Sequence, residues 1–76
     1  MNNNRRGRLK RAHELLKSAA AIVEHVKDEE QDSFDNLPES FQDSDNGQRM
    51  EEAVSHLEDA LSAIEEAGEC IELAGE

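Results

Sequence analysis

The apolar residues in the first half of the chain recur at helical spacing. Between residues 9 and 26 they follow the i, i+3, i+4, i+7 pattern, at Leu9, Ala12, Leu15, Leu16, Ala19, Ala20, Ile22, Val23 and Val26. This spacing predicts an amphipathic helix over about 5–35. The apolar stripe is wider than the contact line of a two-stranded coiled coil, and a wide stripe is typical of a helix with two or more neighbours, as in a bundle.

A second helix is predicted over about 45–74. Its apolar positions are Met50, Ala53, Val54, Leu57, Ala60, Leu61, Ile64, Ala67, Ile71 and Ala74. A seven-residue repeat of large residues runs through the whole segment and predicts coiled-coil-like packing. Gly68 lies inside this helix, where glycine costs about 1 kcal/mol relative to alanine. It marks either close approach of another helix or fraying.

The connection between the helices is predicted at about 36–44. Proline at position 38 disfavours a helical conformation at Leu37, so the first helix should end near Asn36. Asp45, with Gln48 three residues later, resembles a capping box that starts the second helix, and Ser44 is an alternative cap. The large apolar residues of this region should leave water and cover one end of the bundle as a plug; they are Phe34, Leu37 and Phe41.

A connection this short predicts an all-α antiparallel hairpin. A chain of 76 residues buries too little surface to be comfortably stable alone, and its one cysteine, Cys70, cannot form an internal disulfide. We therefore expect two copies to join as a four-helix bundle. The predicted core and oligomer contacts are Leu9, Leu16, Val23, Val26, Met50, Leu57, Leu61, Ile64 and Ile71.

The net charge of −11 is unevenly distributed. Residues 1–27 carry +5 and residues 28–76 carry −16. In an antiparallel hairpin the basic start of the first helix lies beside the acidic end of the second, which favours this orientation although each exposed pair is worth less than about 1 kcal/mol. The residues concerned are Arg5, Arg6, Arg8, Lys10 and Arg11 on one side and Glu65, Glu66, Glu69, Glu72 and Glu76 on the other.

The composition argues against an enclosed ligand pocket and against membrane or secretory segments. There is no Trp or Tyr, and the N-terminus is polar and basic, without the apolar run of a secretion signal. No stretch approaches the length of a membrane span. We expect a soluble protein of the cytoplasm of a bacterial host cell, with no membrane partner.

Fragments that resemble catalytic or metal motifs each lack a required residue. The segment His13–Lys17 begins like a zinc-protease helix but has lysine where the second histidine is needed. Asp43–Gly47 resembles the start of a calcium loop, yet its glycine is one position early and Val54 stands where a glutamate is needed. No histidine has the spacing of a di-iron bundle, and Cys70 has no local base. The sequence therefore predicts no enzyme, metal or cofactor.

One charged feature has both a structural and a functional interpretation. Four glutamates recur every seven residues on the predicted outer face of the second helix, with further acids beside them: Glu51, Glu58, Glu65 and Glu72, then Asp59, Glu66 and Glu69. Such a run is commonly a solvated face. Alternatively, carboxylates about 10 Å apart could imitate phosphates and bind a basic protein. Repulsion opposes direct nucleic-acid binding, for which the basic arm 4–11 is a weak candidate.

The turn and the start of the second helix resemble a known group of proteins. The segment Asp35–Gln42, followed by Gly47, Met50–Ala53 and Leu57–Ala60, is similar to small uncharacterised acidic helical proteins encoded by phages and prophages of Gram-positive bacteria. The likeness covers about the C-terminal half and is strongest in the Asn-Leu-Pro-Glu-Ser turn. It implies a mobile-element origin and a host protein as partner, including a component of antiviral defence.

These features lead to a ranked set of hypotheses. The first is a phage-type homodimeric interaction protein, in its sharpest form an inhibitor of a host nucleic-acid-binding or antiviral-defence protein that acts through the acidic residues. The alternative is a structural or assembly coiled coil that acts through its apolar stripe. A small-ligand binder with a groove between protomers ranks third, with His13, His25 and His56 as candidates, and an enzyme ranks last.

Overall fold

The chain forms a long helical hairpin. A computed structural model describes all residues from Met1 to Glu76 as three helices, α1 (Asn3–Asp35), α2 (Glu39–Gln42) and α3 (Asp45–Ala74). The two long helices pack against each other and run in opposite directions, and α2 is a single turn within their connection. The Cα atoms extend over 58 × 15 × 12 Å, which are the dimensions of two helices side by side. The predicted all-α class is confirmed.

Capping residues explain where α1 begins and ends. The side chain of Asn2 accepts a hydrogen bond of 2.8 Å from the amide of Arg5, so the helix begins at Asn3, two residues before the predicted position 5. At the other end, the amide of Asn36 donates to the carbonyl of Asp32 over 3.0 Å. Pro38 follows shortly afterwards and disfavours further helix.

The first residue of α3 is set by Ser44. The hydroxyl of Ser44 accepts from the amide of Gly47 over 3.2 Å, which makes Ser44 the N-cap and confirms the alternative assignment. The capping box predicted from Asp45 was wrong. Asp45 lies inside the first turn, where its negative charge suits the positive end of the helix dipole, and the side chain of Gln48 donates to the carbonyl of Asp43 over 3.3 Å.

The contact between α1 and α3 follows a strict alternation of three- and four-residue steps. We call these positions the seam, and all of them are buried or half-buried. On α1 the seam comprises Leu9, His13, Leu16, Ala20, Val23, Lys27, Glu30 and Phe34. On α3 it comprises Gly47, Met50, Val54, Leu57, Leu61, Ile64, Gly68, Ile71 and Gly75. This is the heptad alternation of a coiled coil, here formed by two antiparallel segments of one chain.

The seam contains eight of the nine predicted core residues, and Val26 is the exception. The side chain of Val26 is 46% exposed, because the next residue, Lys27, occupies the seam position. Lys27 packs its aliphatic stem there, leaving its side chain 22% exposed with the charged end beside Asp28. Val26 therefore lies outside the contact between α1 and α3, since one helical step rotates it away, and its contact with a second copy stays a prediction.

The connecting segment is closed by polar contacts rather than by an apolar plug. Phe34 and Leu37 are half-buried, whereas Phe41 is 57% exposed, so the prediction was wrong for Phe41. The amide of the Gln42 side chain donates to the carbonyls of Phe34 (3.4 Å) and Leu37 (3.2 Å). Buried Gly47 packs against the backbone of residues 41 and 42.

Gly68 marks a close approach between the helices. A Cβ atom at Gly68 would lie 3.4 Å from Nε2 of His13, and α3 continues past this point to Ala74. Of the two interpretations left open by the sequence, close approach applies and fraying does not. The glycine allows the ring of His13 to sit within the seam.

The hydropathy of the helices bears on membrane insertion. Neither long helix has a stretch that is both long and apolar enough to span a bilayer.

Candidate interaction surfaces

Charged side chains from both long helices lie on one side of the hairpin. Two open grooves run along this side, and both are lined by residues of α1 and α3 that follow seam positions. Since side chains of both helices line the same grooves, they share one face. We call it the charged face, and its main members are Lys10, Glu14, Lys17, Glu24, Glu51, Glu58, Glu65, Glu69 and Glu72, with Glu51 and Glu58 placed by the heptad step from Glu65.

One polar contact between side chains crosses between the helices on this face. Nε2 of His13 lies 3.0 Å from Oε1 of Glu72, with the His13 side chain 22% exposed and that of Glu72 66% exposed. The remaining charge pairs connect near neighbours within α1, with Arg11 to Glu14 at 3.9 Å and His25 to Glu29 at 2.7 Å as the helical pairs. Most charged side chains on the charged face therefore have no oppositely charged partner within the chain.

The basic start of α1 meets the acidic end of α3, but not through carboxylates. Arg6 donates from Nε to the carbonyl of Gly75 over 3.0 Å and from Nη2 to the carbonyl of Glu76 over 3.4 Å. The terminal carbonyls of a helix lack partners within the helix and carry its negative dipole end, so a guanidinium satisfies them well. The ends are adjacent as predicted, and the contact is a helix C-cap rather than a set of salt bridges.

The predicted acidic face divides into two surfaces. Glu51, Glu58, Glu65 and Glu72 each follow a seam residue, which turns them about 100° from the contact line and places them beside α1, not on the outer side of α3. Glu69 shares the same side. Asp59 and Glu66 come one residue later again and lie on the back of α3. All seven acids are exposed, but the prediction of a single outer acidic face was wrong.

The opposite side of the seam is mainly apolar, with Arg8 and Glu29 of α1 and Arg49 and His56 of α3 among its polar members. Here each residue precedes a seam position or stands one turn from such a residue. Leu15, Ile22 and Val26 are 52%, 66% and 46% exposed. We call this side the apolar face, and it comprises Ala12, Leu15, Ala19, Ile22 and Val26 of α1 with Ala53, Ala60, Ala63, Ala67, Cys70 and Ala74 of α3. The sequence predicted a wide apolar stripe on α1. The packing of α1 on α3 shows which half of that stripe α3 leaves uncovered.

The candidate chemistry of the histidines and Cys70 does not converge on one site. His13 lies in the seam, His25 is exposed and bonded to Glu29 on its own helix, and His56 and Cys70 are exposed on α3. No three side chains of His, Cys, Asp or Glu stand close enough together to hold a metal ion. What the geometry offers is two extended surfaces of opposite character.

The comparisons with known proteins add no relative to this geometry. No protein-family model matches the chain, and neither a curated protein nor a solved structure matches it.

Proposed function

We propose that this protein is a homodimeric interaction module that pairs through its apolar face and presents its charged faces to a basic partner. The proposal rests on the different character of the two sides of the seam. The apolar face lies on one side, and the mainly acidic charged face lies on the other. Two hairpins that cover their apolar faces form a four-helix bundle. Both charged faces then remain on the outside.

The small interior of the single hairpin supports the dimer. Val54, at 7% exposure, is its only buried hydrophobic residue, while Leu15, Ile22 and Val26 are about half exposed or more. One whole side of the hairpin spans 58 by 15 Å between Cα atoms, so a standard stable interface, with roughly 800 Å² from each partner, would involve most of that side. Burial of this face by a second copy would supply the apolar contacts that one chain lacks.

The chemistry of the charged face supports a basic partner. Its glutamates repeat about every 10 Å along a rigid rod, and the Lys and Arg side chains in the grooves are Arg6, Lys10 and Lys17. A row of fixed carboxylates attracts cationic surfaces and could occupy a channel built for nucleic acid. In its specific form, we propose that the protein inhibits a host nucleic-acid-binding or antiviral-defence protein. We infer that the partner is a host protein from the resemblance of the turn to phage-encoded proteins.

The dimer is tested by two adjacent substitutions that add the same charge to opposite flanks. Ile22→Glu places a carboxylate on the apolar face, and Ala21→Glu places one beside the charged face, at a position that is already exposed. We expect sedimentation equilibrium to show a dimer for the wild type and for Ala21→Glu, and a monomer for Ile22→Glu. A monomeric wild type at micromolar concentration, or a dimeric Ile22→Glu protein, would contradict the proposal.

The binding role is tested by two variants of α3, each with three acidic residues at seven-residue spacing changed to lysine. Glu51, Glu58 and Glu65 are changed to lysine in one variant, and Glu52, Asp59 and Glu66, on the back of α3, in the matched control. Each tagged protein is incubated with host lysate, and bound proteins are identified by mass spectrometry. We expect a protein that is retained by wild type and control, lost with the first variant and displaced by a duplex oligonucleotide. Equal retention by both variants would exclude the charged face.

An assembly role is the second candidate, because apolar groups are also exposed outside the apolar face. Met1, Phe41 and Leu73 are 51%, 57% and 66% exposed, with Phe41 in the connection and Met1 near the opposite end of the hairpin. Contacts between such groups could extend a chain of dimers. Sedimentation at increasing concentration separates the two functions, since open-ended growth indicates assembly and a fixed dimer indicates the interaction module.

A further inference from the structure

One column of side chains on the apolar side of α1 is complementary to itself when reversed. Arg8, Leu15, Ile22 and Glu29 follow one another at seven-residue steps, and all four are exposed. Along the helix the column therefore runs basic, apolar, apolar, acidic. An identical column laid antiparallel places arginine opposite glutamate at both ends and leucine opposite isoleucine between them.

We propose that the dimer forms with α1 antiparallel to α1 of the second copy, so that the two connections lie at opposite ends of the bundle. This inference rests on the dimer described under the proposed function and specifies its orientation. The pairs across the interface are Arg8 with Glu29 and Leu15 with Ile22, each occurring twice because the two-fold axis relates the copies.

The position of this column within α1 supports full overlap of the two helices. The centre of the column falls between residues 18 and 19, and Ala19 is the midpoint of α1, which spans Asn3–Asp35. An axis at this point leaves no part of either α1 unpaired. Ala19, half a residue from this centre, then lies close to its own symmetry mate, and the small Ala12 lies close to the larger Val26. Alternation of small and large side chains allows the two surfaces to interlock.

The charged residues at the two ends of this column are available for contacts with a second chain. Arg8 makes no ion pair or hydrogen bond within the chain, and Glu29 uses only Oε1, which lies 2.7 Å from Nε2 of His25. About 31 Å separates residues 8 and 29 along one helix, so they cannot meet within a single chain. An Arg8 to Glu29 contact must therefore be intermolecular.

In the competing dimer both connections lie at the same end, and α1 lies over α3 of the second copy at the same level along the hairpin. The contacts of Arg6 with Gly75 and of His13 with Gly68 define these levels. Glu29 then comes within one turn of Arg49, but Arg8 stands level with Leu73 and meets no carboxylate on the apolar side of α3. The antiparallel α1 pair instead places an opposite charge against both Arg8 and Glu29.

A charge exchange tests the orientation in the full-length protein. Arg8→Glu and Glu29→Arg each create two like-charge contacts per dimer, and the double variant R8E/E29R restores opposite charges. We expect each single variant to raise the dimer dissociation constant about 10-fold and the double variant to return within about threefold of the wild type. A double variant that dimerises as poorly as, or worse than, either single variant overturns the orientation.

Disulfide cross-linking provides a measurement that does not depend on charge or on small changes in stability. In a Cys70→Ser background, Ala19→Cys should form a covalent dimer under mild oxidation, because a disulfide requires Cα atoms within about 7 Å and residue 19 lies close to the axis. Ser62→Cys on the charged face should not. Absence of the Ala19→Cys dimer in a protein that sediments as a dimer overturns the orientation alone, while a monomeric wild type overturns the proposed dimer itself.

Discussion

The two ends of the hairpin are held together by different kinds of contact. At the loop end, Gly47 is buried against the backbone carbonyls of residues 41 and 42, and Ser44 and Gln42 bond to main-chain atoms. At the open end, Gly68 faces only the ring of His13, and Arg6 reaches the last carbonyls of α3 with a long side chain. Backbone contacts cannot move aside, whereas side chains can. The loop end should therefore tolerate substitution much less than the open end.

The largest effect is expected for Gly47→Ala. A Cβ atom at this position would lie 2.7 Å from the carbonyl oxygen of Phe41 and closer still to that of Gln42. Because the obstructing atoms belong to the backbone, the first turn of α3 must shift, and we expect a loss of about 3 kcal/mol in the free energy of unfolding. Urea unfolding at one fixed protein concentration measures it, since the stability of the proposed dimer would depend on concentration. Asn46→Ala, at an exposed neighbour, is the control and should change little.

The second-largest effect on the free energy of unfolding is expected for the N-cap of α3. Ser44→Ala removes the oxygen that accepts from the amide of Gly47 and should cost about 1 kcal/mol. Ser44→Asp keeps an acceptor for the Gly47 amide but loses the hydrogen bond that the hydroxyl donates to the carbonyl of Phe41, so its loss should be smaller than that of Ser44→Ala but not zero. The same unfolding measurement applies. Equal losses in both variants would show that the hydroxyl does not stabilise α3 as a cap.

At the open end, the corresponding glycine should respond in the opposite direction. Gly68→Ala adds a Cβ at 3.4 Å from the terminal part of the His13 ring, which can turn away, and it removes the helix penalty of glycine. We expect a gain of about 0.5 to 1 kcal/mol. In a His13→Ala background the gain should approach its upper value, because the neighbouring ring is gone. A loss above 1 kcal/mol for Gly68→Ala would mean that both ends are equally rigid.

The smallest effect is expected for Arg6→Gln. The two hydrogen bonds of Arg6 are exposed, so their removal should change the free energy of unfolding by less than about 0.5 kcal/mol. The local effect is larger than the global one, because the last turn of α3 loses its cap. Amide hydrogen exchange should become faster over residues 73–76 and remain unchanged at the loop end. Faster exchange throughout α3 would indicate that Arg6 supports the whole helix.

The helices and their approximate limits follow from local physical chemistry that the sequence contains. Periodic apolar residues, Pro38 and the polar residues near position 44 act over one or two turns, and for this reason they predict the class, the two long helices and the short connection. Capping was only partly predictable. Ser44 and Asp45 both suit a helix start, and the contact of Gly47 with the preceding backbone selects between them.

The tertiary structure alone decided which side of each helix is covered. A rotation of one residue separates Val26 from Lys27 and Glu58 from Leu57, and the sequence pattern cannot resolve a rotation that small when the apolar stripe is wide. Packing of α1 on α3 places Lys27 and His13 in the seam, divides the acids between two surfaces and leaves Leu15 and Ile22 exposed. Local preference determines that these segments are helices, whereas the relative rotation of two helices depends on contacts between residues far apart in the chain.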